Sequence, residues 1–162
     1  MHRRVFVYGT LLAGEVNDHL LADAALLGRH RTEPCFTLFC LRAYPGVVRG
    51  GRTSVAGEIY RVGAKDLELL DRLEDYPRLY DRILIPSPFG RAWIYVYRGP
   101  LDGRPVIGSG DWRTWTGDSS SVRAAAVRTV RDPKNPRWRE HLLSSGERDD
   151  SSGAMSSRFS GS

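Results

Sequence analysis

Residues 91–97, Arg-Ala-Trp-Ile-Tyr-Val-Tyr, carry the pattern from which the fold is inferred. Successive side chains of an extended strand point to opposite faces. One face of this strand is therefore aliphatic and the other aromatic, the first carrying Ala92, Ile94 and Val96 and the second Trp93, Tyr95 and Tyr97. Because both faces are apolar, we expect the strand to be covered on both sides.

Further strands and helices are predicted in the sequence before this strand. Runs of β-branched and aromatic residues predict strands at 4–8, 35–41, 55–62 and 82–85, with Tyr44-Pro45-Gly46 as a turn. Two helices are predicted, one from Asn17, as a cap, to Gly28 and one from Ala64 to Asp75. Several strands with only two helices favour an α+β domain with a curled or closed sheet.

The composition changes after Gly117, where serines become frequent and apolar residues sparse. We therefore predict one domain over residues 1–118 and a Ser/Arg-rich extension over 119–162 that is largely disordered, apart from a short helix at 137–143.

The chain carries a net charge of +5 on 162 residues, and its isoelectric point is near 9.6. Such a charge invites a nucleic-acid interpretation. Residues 119–162 contain eight basic and five acidic residues, which leaves 16 and 14 in the first 118. The predicted domain is thus close to neutral, and we do not expect nucleic acid as a partner.

No apolar run approaches the roughly 20 residues of a membrane span, and the apolar stretch after Arg4 is too short for a signal peptide. We therefore expect a cytoplasmic protein with no membrane partner. Cys35 and Cys40 lack the CxxC spacing of metal sites and predict two buried, reduced thiols.

The second predicted helix places one acid on its apolar side. At 100° per residue, Glu74 falls between Leu67 and Leu70. Burial and the nearby helix C-terminus both disfavour its charge and raise its pKa, as a proton-transferring carboxyl requires. An ion pair with an arginine such as Arg82 explains the same position, and the helical register does not choose between the two interpretations.

A second candidate feature is Tyr8-Gly9-Thr10-Leu11, which follows the first strand. Glycine allows close backbone approach, and consecutive N–H groups with a threonine hydroxyl can hold a carboxylate.

The residues that other common catalytic chemistries require are missing from the sequence. The histidines show no metal-ligand spacing, and neither a G-x-S-x-G motif nor a phosphate-binding glycine loop is present.

Five motifs, taken in order, resemble the gamma-glutamylcyclotransferase family. They are 7–11 (Val-Tyr-Gly-Thr-Leu), 44–46 (Tyr-Pro-Gly), 57–60 (Gly-Glu-Ile-Tyr), 70–77 with 80–82 (Leu-Asp-Arg-Leu-Glu-Asp-Tyr-Pro and Tyr-Asp-Arg), and 92–97. The similarity is to the avirulence-induced-gene-like branch, which includes gamma-glutamylamine cyclotransferases and a cyclotransferase of aminoglycoside biosynthesis. It covers roughly residues 4 to 116.

The resemblance implies a small closed β-barrel with flanking helices, commonly a monomer, and a cavity at one side. It implies that Glu74 is the catalytic acid/base and that Tyr8, Gly9, Thr10 and Leu11 hold the glutamyl group. Tyr80 is then a cavity wall and hydrogen-bond donor. Asp75 departs from the family, which often has glycine there, so the substrate range stays open.

The implied reaction is intramolecular. The α-amine of a gamma-glutamyl substrate attacks its own γ-carbonyl and releases 5-oxoproline and a free amine, with no metal or other cofactor. The alternative is a noncatalytic protein of the same fold that binds a small metabolite.

Overall fold

The computed structural model describes residues 1–115. The predicted domain boundary at 118, the extension over 119–162 and the short helix at 137–143 lie outside the described residues.

Five strands form the main sheet: β1 (Arg3–Val7), β2 (Ala25–Arg31), β5 (Ala56–Val62), β6 (Tyr80–Ile85) and β7 (Ala92–Tyr97). Their order in the sheet is β2-β5-β1-β7-β6. All neighbours are antiparallel except β1 and β7, which run parallel, with Val5 opposite Trp93 and Phe6 opposite Ile94. The first strand thus ends at the centre of the sheet, where the Gly9 segment begins.

The expectation of a closed barrel is wrong for the described residues. The main sheet ends at β2 on one side and at β6 on the other, so it stays open. The remaining strands, β3 (Phe36–Cys40) and β4 (Pro45–Arg49), form a separate antiparallel hairpin. The hairpin packs against the sheet, with Gly46 close to the Tyr97 side chain, instead of continuing its hydrogen-bond ladder.

Two local predictions around this hairpin are corrected. Pro45 and Gly46 begin β4, and the chain reverses just before them, where the Leu41 N–H donates to the Tyr44 carbonyl. Proline is tolerated there because it is the first residue of the strand. Cys40 is buried, but Cys35 precedes β3 and is exposed, so only one of the two thiols is enclosed.

The predicted helix from Asn17 to Gly28 is also wrong. A 3₁₀ helix spans only Asp18–Leu21, and the apolar run that follows becomes β2. β2 pairs with β5 and shifts register between Leu26 and Gly28, which accommodates the glycine as an irregularity of the strand. The exposed edge of β5 thus provides hydrogen-bond partners that outweigh the helical propensity of the alanines and leucines.

The second helix forms as predicted, apart from its final residues. Helix α1 spans Ala64–Leu73, and at its start the Gly63 N–H donates to Asp66 Oδ2 over 2.9 Å. Leu67 and Leu70 are buried. Glu74 caps the C-terminus, and Asp75 follows with φ +48°. That left-handed conformation ends the helix and is the one that glycine adopts most easily.

Both faces of β7 are covered, as its sequence predicts, since Ala92, Ile94 and Tyr95 are all buried. A second 3₁₀ helix, Trp112–Thr114, places Trp112 in the core. None of the helices within residues 1–115 is long and apolar enough to cross a membrane.

Candidate functional site

A cleft of about 800 Å³, including its open mouth, lies where the end of β1 meets the C-terminus of α1 and the start of β4. Its walls are largely aromatic and aliphatic, with one carboxylate. The lining residues are Phe6, Val7, Tyr8, Gly9, Thr10, Leu11, Asn17, Tyr44, Pro45, Leu73, Glu74, Leu79, Tyr80 and Tyr95. All six residues predicted for the site, which come from two separate stretches of the sequence, therefore line one cleft.

Tyr8 anchors the start of the cleft wall. Its hydroxyl donates to the Tyr95 carbonyl over 2.8 Å and accepts from the Val47 N–H over 3.2 Å. Burial and the nearby Glu74 raise the pKa of Tyr8. The phenol therefore stays neutral and structural, and it joins β1, β4 and β7 at the cleft.

Gly9 must be glycine because of close packing. A Cβ at this position would lie 2.5 Å from Pro45 Cγ and 2.7 Å from its Cδ. Rigid proline atoms cannot yield as the end of a flexible side chain can. The absence of a side chain thus lets the chain pass the hairpin and enter the segment Gly9–Asn17, which we call the glycine loop.

The glycine loop is closed by its own hydrogen bonds. The Asn17 N–H donates to the Thr10 carbonyl over 2.8 Å, and Asn17 Nδ2 donates to Thr10 Oγ1 over 2.9 Å. Among residues 1–115, no acceptor is found for the N–H groups of Thr10 and Leu11. These two donors, beside the cleft, are available to an anionic or carbonyl oxygen.

Glu74 is the carboxylate of the cleft wall. Burial raises its pKa from 4.5 to about 7. Within the described part of the chain, its side chain has no hydrogen-bond or ion-pair partner. The group is therefore poised to exist in both protonation states near neutral pH, which is the requirement for a general acid/base.

Arg82 pairs with a different acid from the one considered in the sequence. Its Nη1 lies 3.3 Å from Asp71 Oδ2, and its guanidinium stacks 4.5 Å from the Tyr76 ring and 5.1 Å from the Trp93 ring. Asp71 also accepts from the Tyr95 hydroxyl over 2.7 Å. The structure therefore does not contain an ion pair between Glu74 and Arg82. Asp71 instead ties α1 to β6 and β7.

Tyr80 lines the cleft, but its hydroxyl donates to the Pro45 carbonyl over 3.1 Å. Burial, followed by the nearby Tyr8, Glu74, Tyr44 and Tyr97, raises its pKa. Its donor is therefore used within the protein in this structure, to hold the hairpin against the sheet.

Asp75, the departure from the family pattern, lies beside Glu74 but carries its own partner. Arg78 Nη2 lies 2.9 Å from Asp75 Oδ1, and both side chains are largely exposed. Its charge is thus paired at the surface.

Three residues of the site region were missed from the sequence. The sequence predicts Asn17 as a helix cap, whereas the structure has it closing the glycine loop through Thr10. Glu58 and Arg113 form an ion pair of 2.9 Å next to the glycine loop. Glu58 belongs to the motif 57–60, but nothing in the spacing indicates a partner 55 residues away.

Among residues 1–115, no three His, Cys, Asp or Glu side chains group as metal ligands would.

A family model described as "Gamma-glutamyl cyclotransferase, AIG2-like" matches residues 5–114 of the chain. The chain belongs to this family. A relative named putative gamma-glutamylcyclotransferase, from Vibrio cholerae, is 48% identical over 112 residues, which are 69% of this chain and 96% of the relative. The gamma-L-glutamyl-butirosin B gamma-glutamyl cyclotransferase of Niallia circulans is 35% identical over 103 residues, 57% of this chain and 65% of its own.

The solved structures agree with the family assignment. The solution NMR structure of protein ytfP from Escherichia coli superimposes with a TM-score of 0.56 at 42% identity and covers 67% of this chain and 95% of that protein. The gamma-glutamyl cyclotransferase family therefore accounts for the mixed α+β fold as well as for the motifs.

Proposed function

We propose that this protein is a gamma-glutamyl cyclotransferase that releases 5-oxoproline from a gamma-glutamyl amine or amide, with Glu74 as general acid/base. The observation that carries the proposal is the position of Glu74, a carboxylate without a partner among residues 1–115, with a pKa raised to about 7, in the wall of a cleft. A structural acid would be expected to have an arginine or N–H partner, as Asp71 does.

The proposed reaction needs one proton-carrying group. The α-amine nitrogen of the substrate attacks its γ-carbonyl carbon, and the new C–N bond closes a five-membered ring. Glu74, as carboxylate, takes the proton that the attacking nitrogen loses. The bond to the leaving amine then breaks, and Glu74 returns the proton to that nitrogen. Atoms and charge balance without a cofactor.

The glycine loop supplies the polar contacts in this proposal. The N–H groups of Thr10 and Leu11 point to an oxygen of the glutamyl part, either its α-carboxylate or the oxyanion that develops on the γ-carbonyl. Because nucleophile and electrophile belong to one molecule, holding the folded conformer removes much of the entropic barrier. The apolar walls from Leu73, Leu79 and Tyr95 keep Glu74 partly dehydrated.

A substrate screen tests the proposal. The full chain is incubated with gamma-glutamyl amino acids, gamma-glutamyl amines, gamma-glutamyl-lysine isopeptides and gamma-glutamyl aminoglycosides, and 5-oxoproline is quantified by mass spectrometry. We expect release from at least one class. The Glu74→Gln variant serves as the blank because its amide cannot carry the proton.

Equal release by wild type and Glu74→Gln would contradict the assignment of Glu74. Tight binding of the same compounds with no release by the wild type would instead favour the noncatalytic binding protein.

A further inference from the structure

Glu58 is a second buried carboxylate, and it does not line the cleft. It lies on β5 and is only 2% exposed. Its Oε2 accepts from the Ala13 N–H over 3.0 Å and from the Tyr60 hydroxyl over 3.2 Å, and its Oε1 accepts from Arg113 Nη2 over 2.9 Å. With these donors the group stays ionised, so it cannot exchange protons with a substrate near neutral pH.

Arg113 contacts the same residue of the loop from the other side. Its Nη2 donates to the Ala13 carbonyl over 2.7 Å as well as to Glu58. Arg113 is itself held, since its N–H donates to Asp111 Oδ1 over 3.0 Å and the adjacent Trp112 is buried. The N–H and the carbonyl of Ala13 are therefore both bound, by residues 45 and 100 positions away.

Ala13 lies in the middle of the glycine loop, between the cleft residues Leu11 and Asn17. The bonds between Thr10 and Asn17 close the loop on itself but do not attach it to the rest of the fold. Buried Leu11 and Leu12 attach the loop by packing, and the contacts of Ala13 bind its backbone to Glu58 and Arg113. Because Leu11 is only two residues from Ala13, a shift of Ala13 also displaces the backbone of the cleft residues Thr10 and Leu11.

We propose that Glu58 and Arg113 are positioning residues that hold the glycine loop in its substrate-binding conformation and thereby set KM without touching the substrate. The predicted effect on KM rests on the proposed function. Their effect on the loop itself does not depend on any activity.

The test uses the full chain with Arg113→Met, Glu58→Gln and the double variant. Arg31→Met is the matched control, because Arg31 also donates to backbone carbonyls, those of Ser54 and Ser109, but belongs to β2 and does not line the cleft. Amide hydrogen exchange of residues 10–17 is followed without ligand, and KM and kcat are measured with a substrate found by the screen. Thermal unfolding confirms that each variant is folded at the assay temperature.

In Arg113→Met we expect exchange in residues 10–17 to rise about tenfold or more and KM to rise about 10- to 100-fold, with kcat within about threefold of wild type. The double variant should match the single variants in KM, since both act through Ala13. Arg31→Met should match wild type in both measurements.

A folded Arg113→Met protein with wild-type exchange and wild-type KM would overturn the inference. Arg113→Met alone could unfold the chain because it leaves Glu58 as an unpaired buried charge. In that case the double variant, which has no such charge, is measured instead, again by amide exchange of residues 10–17 and by KM. Exchange is measured without substrate, so it decides the loop attachment even if the screen finds no cyclotransferase activity.

Discussion

Glu74 and Glu58 are two carboxylates enclosed by the same small domain, and they have opposite surroundings. Glu74 faces apolar cleft walls with no partner among residues 1–115, and burial raises its pKa to about 7. Burial also acts on Glu58, but the Ala13 N–H, Arg113 and Tyr60 outweigh it and hold its pKa below the ordinary value. The three donors around Glu58 and the lack of any at Glu74 within residues 1–115 thus separate a group that holds a chain segment in place from one that can exchange protons.

The largest expected effect follows from neutralising each carboxylate in turn. Glu74→Gln should lower kcat about 1000-fold, within the range for loss of a general acid/base. Glu58→Gln should leave kcat within about threefold. Steady-state 5-oxoproline release measures both. Glu68→Gln, an exposed acid on the same helix, is the control and should behave as wild type. A comparable loss of kcat in Glu74→Gln and Glu58→Gln would show that the two carboxylates do not differ in their role.

Stability should respond to pH with opposite signs at the two sites. Because the pKa of Glu74 is raised in the folded state, its carboxyl adds to the free energy of unfolding below about pH 4.5. This contribution is lost as the pH rises through about 7. A lowered pKa at Glu58 stabilises the fold above the ordinary pKa and loses that contribution as the pH falls.

Urea unfolding of wild type and Glu74→Gln from pH 4 to pH 8 measures this difference. With rising pH, the free energy of unfolding of Glu74→Gln should increase relative to that of the wild type, by at most about 3 kcal/mol. One pKa unit corresponds to about 1.4 kcal/mol. Glu58→Gln should show the reverse trend. A difference that does not change with pH for Glu74→Gln would mean that its carboxyl titrates normally in the fold.

Giving Glu74 a cationic partner should make it resemble Glu58. Leu79 lines the same cleft, and Leu79→Arg places a guanidinium there, which should lower the pKa of Glu74. We expect kcat at pH 7 to fall about tenfold. Leu79→Met, which keeps the apolar wall, is the control. Unchanged kcat in a folded Leu79→Arg protein would show that the raised pKa contributes little to the rate.

The smallest effect should come from removing one donor from Glu58. Tyr60→Phe deletes the 3.2 Å hydrogen bond and leaves the Ala13 and Arg113 contacts in place. The free energy of unfolding should fall by about 1.5–3 kcal/mol, as for a hydrogen bond to a charged group. Kinetic constants should not change. A KM change as large as that of Arg113→Met would indicate that Tyr60 also positions the loop.

The sequence predicted what depends on short-range order. Helical periodicity predicts Glu74 on the side of Leu67 and Leu70, and the structure has it at the C-cap of α1, in the cleft wall beside Leu73. Alternation along β7 predicts a strand covered on both sides, as the structure shows. The motif order led to the correct family. That Glu74 acts as acid/base stays a prediction.

The errors lie where distant segments decide the outcome. Residues 25–31 have a composition suited to a helix, but they pair with the edge of β5. Sheet closure depends on whether β3 and β4 join the ladder, and nothing local determines that. Arg113 forms an ion pair with Glu58, which lies 55 residues earlier, and no spacing in the sequence predicts this pair.

The separation of the β3–β4 hairpin from the main sheet has a consequence for how this fold can vary. The hairpin supplies Tyr44 and Pro45 to the cleft, and its bonds to the cleft side of the sheet come from the hydroxyls of Tyr8 and Tyr80. Replacements at Tyr44 therefore reshape one cleft wall without disturbing a strand pairing that carries Glu74 or the glycine loop. For the proposed cyclotransferase, Tyr44 is therefore the starting point for changing the leaving-amine preference, because the main sheet does not use the hairpin in its own hydrogen-bond ladder.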